Sequence, residues 1–217
     1  GDAWPPALAR ARLGDDAARD ELPALLGDPR PAVRAEALRA IASLQVTEAL
    51  DLVSTLADHD DAVDVRDEAA LTGLTLGATQ FAPRATALLA HARGGGAQGR
   101  DLARRAAFAV LPTAAAHAAE ILSDLAADSG ATLLERERAL DAIARHRAPV
   151  SSEAIAQLFT EVRLRPAAAR CLGQLGGKFA ERFLLQALDQ ERYPDARAAE
   201  VAALTAMRVR GLPAPIV

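Results

Sequence analysis

Residues 28–44 read Asp28-Pro29-Arg30-Pro31-Ala32-Val33-Arg34-Ala35-Glu36-Ala37-Leu38-Arg39-Ala40-Ile41-Ala42-Ser43-Leu44, and this stretch decides the fold. Val33, Ala37, Leu38, Ile41 and Leu44 fall three and four apart, which puts them on one stripe of a helix. Pro31 suits the first helical position, where its missing N–H has no partner to lose. The pattern returns as Val65-Arg66-x-x-Ala69-Ala70, Ala103-Arg104-x-x-Ala107-Phe108, Glu135-Arg136-x-x-Ala139-Leu140, Leu164-Arg165-x-x-Ala168-Ala169 and Ala196-Arg197-x-x-Glu200-Val201. The Arg steps by about 32 residues, with one longer and one shorter interval.

A second apolar-periodic segment precedes each copy: Leu22-Leu25-Leu26, Leu52-Val53-Leu56, Leu88-Leu89, Ile121-Leu122-Leu125, Ile155-Leu158-Phe159 and Phe183-Leu184-Leu185-Leu188. Between the two lie stops and restarts such as Gly27-Asp28-Pro29, Asp58-His59-Asp60-Asp61, Asp128-Ser129-Gly130 and Tyr193-Pro194-Asp195. The unit is therefore helix–turn–helix. Six copies are expected, at about 15–45, 47–77, 79–112, 114–147, 151–177 and 178–210, after a capping helix at about 6–13. No period-2 alternation competes with this reading. A lone pair of short helices leaves its stripe in water, and stacked pairs share one core. The expectation is an all-α solenoid forming a single domain over residues 1–217.

Composition agrees. The chain has 217 residues, 54 of them Ala and 31 Leu, the strongest helix formers. With 51% hydrophobic residues and a net charge of −4 it is not a disordered chain. A single Cys excludes a disulfide scaffold and a Cys-rich zinc module. Charges interrupt every apolar run short of a membrane span, so no membrane insertion is expected. The start, Gly1-Asp2-Ala3-Trp4, has neither Met nor a signal-like apolar core; it reads as a trimmed chain or a piece of a longer one, cytoplasmic in location.

The Asp-Pro-x-x-Val-Arg-x-x-Ala-Leu-x-x-Ile-x-x-Leu of residues 28–44 resembles the second half of a HEAT repeat. So does Leu164-Arg165-Pro166-Ala167-Ala168-Ala169-Arg170-Cys171-Leu172-Gly173-Gln174-Leu175-Gly176. The resemblance covers about residues 15–210. It implies a right-handed α-α superhelix with the second helices on the concave face. It also implies that Asp28, Asp58, Arg34, Arg66, Arg136, Arg165 and Arg197 form a structural ladder between repeats. The third copy departs most, because Gly94-Gly95-Gly96 stands in place of the Asp turn.

Catalysis finds no foothold. Gly94-Gly95-Gly96-Ala97-Gln98-Gly99 satisfies G-x-G-x-x-G but follows a helix, whereas a dinucleotide loop needs a strand before it. Gly176-Gly177-Lys178-Phe179 lacks the Ser/Thr of a phosphate loop. The acidic run Asp58, Asp60, Asp61, Asp64, Asp67, Glu68 lacks the Gly and the ordered bidentate Glu of a calcium loop and reads as helix caps. His59, His91, His117 and His146 lie in different repeats without zinc spacing, and the His-Glu dipeptides of the iron-binding HEAT-type hydroxylases are absent. Cys171 lies among core positions. No catalytic residue, metal or cofactor is expected.

What remains is the surface. Between core positions of the second helices stand Glu36, Arg39, Glu68, Arg105, Arg138, Asp141, Arg145, Arg170, Gln174 and Glu200. They predict a groove that is acidic at its N-terminal end and Arg-rich through the middle, suited to a protein or peptide segment. The leading expectation is a non-enzymatic protein-binding scaffold. Two alternatives come from the resemblance: a DNA-binding or DNA-repair role like that of the HEAT-like glycosylases, on an Arg strip, and a bilin-lyase-like role. Net acidity and the scarcity of aromatics weigh against nucleic acid.

Overall fold

The computed structural model describes residues 3–90 and 96–209. Among them are eleven α-helices and no strand: α1 (Pro6–Arg12), α2 (Pro31–Ser43), α3 (Leu50–His59), α4 (Val63–Thr75), α5 (Ala82–Leu88), α6 (Gly96–Ala127), α7 (Leu133–His146), α8 (Ser152–Gln157), α9 (Arg165–Leu175), α10 (Gly177–Gln190) and α11 (Pro194–Ala206). The fold is all-α. Where the sequence reads as one array, contacts group the chain into two compact units, residues 1–113 and 114–217.

In the first unit α4 packs between α2 and α3 and also meets α5. The recurring alanines of the second helices, Ala37, Ala69 and Ala107, have no exposed surface. A methyl group there lets neighbouring helices approach while Leu38, Ile41, Val65 and Val110 fill the space around them. The first pair differs from the expectation. In place of a helix around Leu22–Leu26 there are two 3₁₀ turns, Asp16–Ala18 and Pro23–Gly27. Pro23 has no N–H for an α-helical bond, and Leu25 and Asp28 bond back three residues rather than four.

Residues 96–127 hold two helical segments that meet at a break, where the sequence predicts a turn between the third and fourth repeats. The break survives as a kink: Pro112 lies inside the run, and Ala114 is non-helical at φ −146°, ψ 50°. By length and composition alone α6 is apolar enough to cross a membrane. Ala106, Ala107, Val110 and Leu111 before the kink, and Ala118, Leu122 and Leu125 after it, are buried in the protein.

In the second unit α9 is central, packed on α7, α8, α10 and α11. Thr132 opens α7 with a capping box, its hydroxyl accepting from the Glu135 N–H while the Glu135 carboxylate accepts from the Thr132 N–H. Ala139 and Ala168 are fully buried at the recurring position. The sixth copy carries Glu200 there, and it too has no exposed surface.

Candidate partner-binding face

The ladder arginines share one geometry. Each reaches back to a carbonyl near the end of the preceding helix or turn, where helical geometry leaves C=O groups without partners. Arg34 donates to the Asp28 carbonyl at 2.9 Å, Arg66 to that of Asp60 at 2.5 Å and Arg136 to that of Ala126 at 2.8 Å. Arg165 donates to the Phe159 carbonyl at 2.7 Å, and Arg197 to that of Leu188 at 2.8 Å. Three of them also reach forward to a carboxylate in the next turn. Arg34 meets both Asp60 oxygens at 2.7 Å, Arg136 meets Glu161 at 2.7 Å and Arg165 meets Glu191 at 3.1 Å.

The turn carboxylate that Arg34 meets is Asp60, two residues beyond the Asp58 of the sequence reading; Asp58 is exposed. Asp28 binds locally instead, to the Arg30 guanidinium and N–H. Its hydrogen bonds with Arg30 lower its carboxyl to about 2. Burial works against charge on Asp60 and Glu191. Arg34 and the Ala62 N–H outweigh it at Asp60, as the Tyr193 and Arg192 N–H groups with Arg165 do at Glu191, and both carboxyls lie below the usual range. Each acceptor lies 25 or 26 residues beyond its Arg, a regularity that emerges only once the pairs are seen together.

On the second helices of the first unit the charged residues close on one another. Arg12 binds Glu36 at 2.7 Å, and Glu36 accepts from Arg39 at 3.0 Å. Arg39 reaches on to Glu68 at 2.9 Å, Arg105 meets Glu68 at 2.6 Å, and Arg105 meets Asp101 at 3.0 Å. Three cations alternate with three anions across α1, α2, α4 and α6. Glu68 is nearly buried at their centre, with 5% of its side chain exposed. Of the ten residues read as groove-lining, Glu36, Arg39, Glu68 and Arg105 thus serve one another.

The second unit differs. Arg138, Asp141 and Arg145 lie at i, i+3 and i+7 on α7, which places them on one face, and all three are exposed. Arg170 of α9 approaches Asp141 at 3.4 Å with both side chains half exposed, and Gln174 follows one turn later, also exposed. No ion pair engages Arg138 or Arg145 among the described residues. Glu200 departs from the sequence reading. It is buried, because it occupies the core-facing position that Ala holds in the other copies.

Residues 7–74, from α1 into α4, match the family model of HEAT repeats. Over that stretch, about a third of the chain, the sequence is similar to HEAT repeats. No curated protein matches it. HEAT repeats commonly mediate protein–protein interaction, and the family is generally non-enzymatic.

The other residues singled out for chemistry are dispersed. His59 is exposed near the Thr55 carbonyl, and His91, Gly94 and Gly95 lie outside the described residues. No cluster of three His, Cys, Asp or Glu side chains suited to a metal occurs among the described residues. Cys171 is buried, and burial, with the Asp141 charge, pushes its thiol up to about 12. At that value it is not a thiolate nucleophile at neutral pH.

Proposed function

We propose that this chain is a non-enzymatic protein-binding module that grips an acidic segment on the second-helix face of its C-terminal unit. One contrast carries the reading. The equivalent charges of the first unit are consumed in the Arg12–Glu36–Arg39–Glu68–Arg105–Asp101 network, whereas Arg138 and Arg145 keep exposed guanidinium groups, with Arg170 in a long pair beside them. A planar guanidinium is the group that recognises carboxylates in two-point fashion. Ala142, between Arg138 and Arg145 on α7, and Gln174, one turn beyond Arg170 on α9, offer small and hydrogen-bonding surface for a peptide main chain.

The test is fluorescence anisotropy of a labelled Glu- and Leu-rich peptide titrated with the full chain, beside a labelled DNA duplex. The expected result is saturable peptide binding that weakens with salt. Arg138→Glu combined with Arg145→Glu should weaken it at least about tenfold, since two charge-assisted contacts are lost. Unchanged binding by that double variant would move the site elsewhere. Tighter binding of the duplex at equal salt would favour the nucleic-acid reading of the same arginines.

A further inference from the structure

Glu200 is the one described residue whose buried side-chain oxygens have no hydrogen-bond partner. Both Oε1 and Oε2 are enclosed, and the residue has no exposed surface. It lies on α11 in the seam against α9. That seam is tight: one turn further along, Ala203 approaches Gly173 so closely that a Cβ on the glycine would lie 2.7 Å from the alanine Cβ. With no exposed surface, the Glu200 carboxyl is cut off from the bulk water that would solvate a charge. A bare carboxylate enclosed there is costly, and a neutral carboxylic acid much less so.

The charged groups that act on Glu200 are few. Arg165, at the start of α9, lies near but is engaged by Glu191 and the Phe159 carbonyl. Arg197, on α11 itself, donates to the Leu188 carbonyl. Glu191, in the turn before α11, is itself a carboxylate and repels a second negative charge. Lys178, Arg182 and Asp189 of α10 are exposed, and Glu181 is partly so. None of these groups donates a hydrogen bond to Glu200.

We infer that Glu200 makes the seat of α11 on α9 a proton-sensitive latch, closed while the carboxyl is neutral and released when it ionises. Burial, reinforced by Glu191 and only partly offset by Arg165 and Arg197, raises the Glu200 carboxyl from 4.5 to about 7. Released α11 lets Glu200 ionise at its ordinary value, so the closed form holds the extra proton between 4.5 and 7. Over that window the opening equilibrium rises by up to about tenfold per pH unit and levels off above it. The other five copies carry Ala at this position and have no such group.

The experiment is amide hydrogen exchange of the full chain from pH 5 to pH 8, corrected for intrinsic exchange, with α2 and α4 as the internal reference. It is paired with a carbon-13 titration of the Glu200 carboxyl. The latch predicts a carboxyl midpoint near 7 and protection of residues 194–206 that falls as pH rises, while the reference helices change little. Glu200→Gln should remove the pH dependence of α11, and Glu200→Ala, restoring the residue of the other copies, should do the same if the Gln variant does not fold. A Glu200 midpoint in the ordinary Glu range, or α11 protection in the wild type that ignores pH, would overturn the proposal.

Discussion

Gly173 of α9 lies against the backbone of Ala203 of α11: a Cβ built on the glycine would stand 2.7 Å from the alanine Cβ and 2.8 Å from its Cα. Real Cβ atoms do not approach so closely, so the two helices meet at a point where only hydrogen fits. Gly in a helix interior costs up to about 1 kcal/mol of propensity relative to Ala, and the close approach explains why it stands here. Gly173→Ala is expected to destabilise the chain by about 1–3 kcal/mol, because overpacking against backbone outweighs the propensity gain. Urea denaturation measures it; a variant as stable as the wild type would mean that α11 shifts freely.

Asp60 and Asp58 stand two residues apart and should behave oppositely. Asp60 accepts both Arg34 nitrogens at 2.7 Å with 3% of its side chain exposed, and it also caps the Ala62 N–H. Removing one partner of a near-buried pair strands the other charge. Asp60→Ala should therefore cost about 2–4 kcal/mol, and Asp58→Ala, at an exposed site, within about 0.5 kcal/mol. Equal losses in the two variants would break the assignment of the ladder.

This pair shows where the sequence is readable and where it is not. Ala37, Ala69, Ala107, Ala139 and Ala168 recur at one offset from an Arg, and helical periodicity alone puts that offset in the core. The same register puts Glu200 in the core, but a charged side chain read by itself suggests solvent. Local spacing also leaves Asp58 and Asp60 as equal candidates within a four-residue turn, and only the path of the chain aims one of them at Arg34. The groove is legible as a set of positions. Whether a charge there is available depends on neighbours 24 to 37 residues away, as for Arg12 with Glu36 and Arg105 with Glu68, and no local pattern encodes that.

Glu68 is the centre of the first-unit network, accepting from Arg39 and Arg105 at once. Glu68→Gln keeps the size but removes the anion that Arg39 and Arg105 share, leaving them only Glu36 and Asp101. Both arginines are partly exposed, so solvent screens the loss, and about 1–3 kcal/mol is expected. Arg12→Ala, at the rim with 65% of the side chain exposed, should change stability by under about 0.5 kcal/mol. A double-mutant cycle on Arg39 and Glu68 separates the pair from the packing, and a coupling near zero would show that the network is not energetically joined.

The pH dependence of stability should have a maximum, because two sets of carboxyls act in opposite directions. Asp60, Glu36 and Glu191 are held below their ordinary values of 3.8 to 4.5. The stability they contribute is complete above those values and is lost as pH falls through the folded ones, where the unfolded chain binds protons first. Glu200 is raised from 4.5 to about 7, so its contribution is complete below 4.5 and is lost as pH rises towards 7. Between the two limbs stability should peak near pH 5, at the acid edge of the range usual for proteins. Urea midpoints measured from pH 3 to pH 8 trace the curve. Glu200→Gln should flatten the neutral limb and leave the acid limb in place, whereas Asp60→Asn should make the acid limb shallower and leave the neutral one. A wild-type maximum near pH 7 that Glu200→Gln does not move would show that the neutral limb has another source.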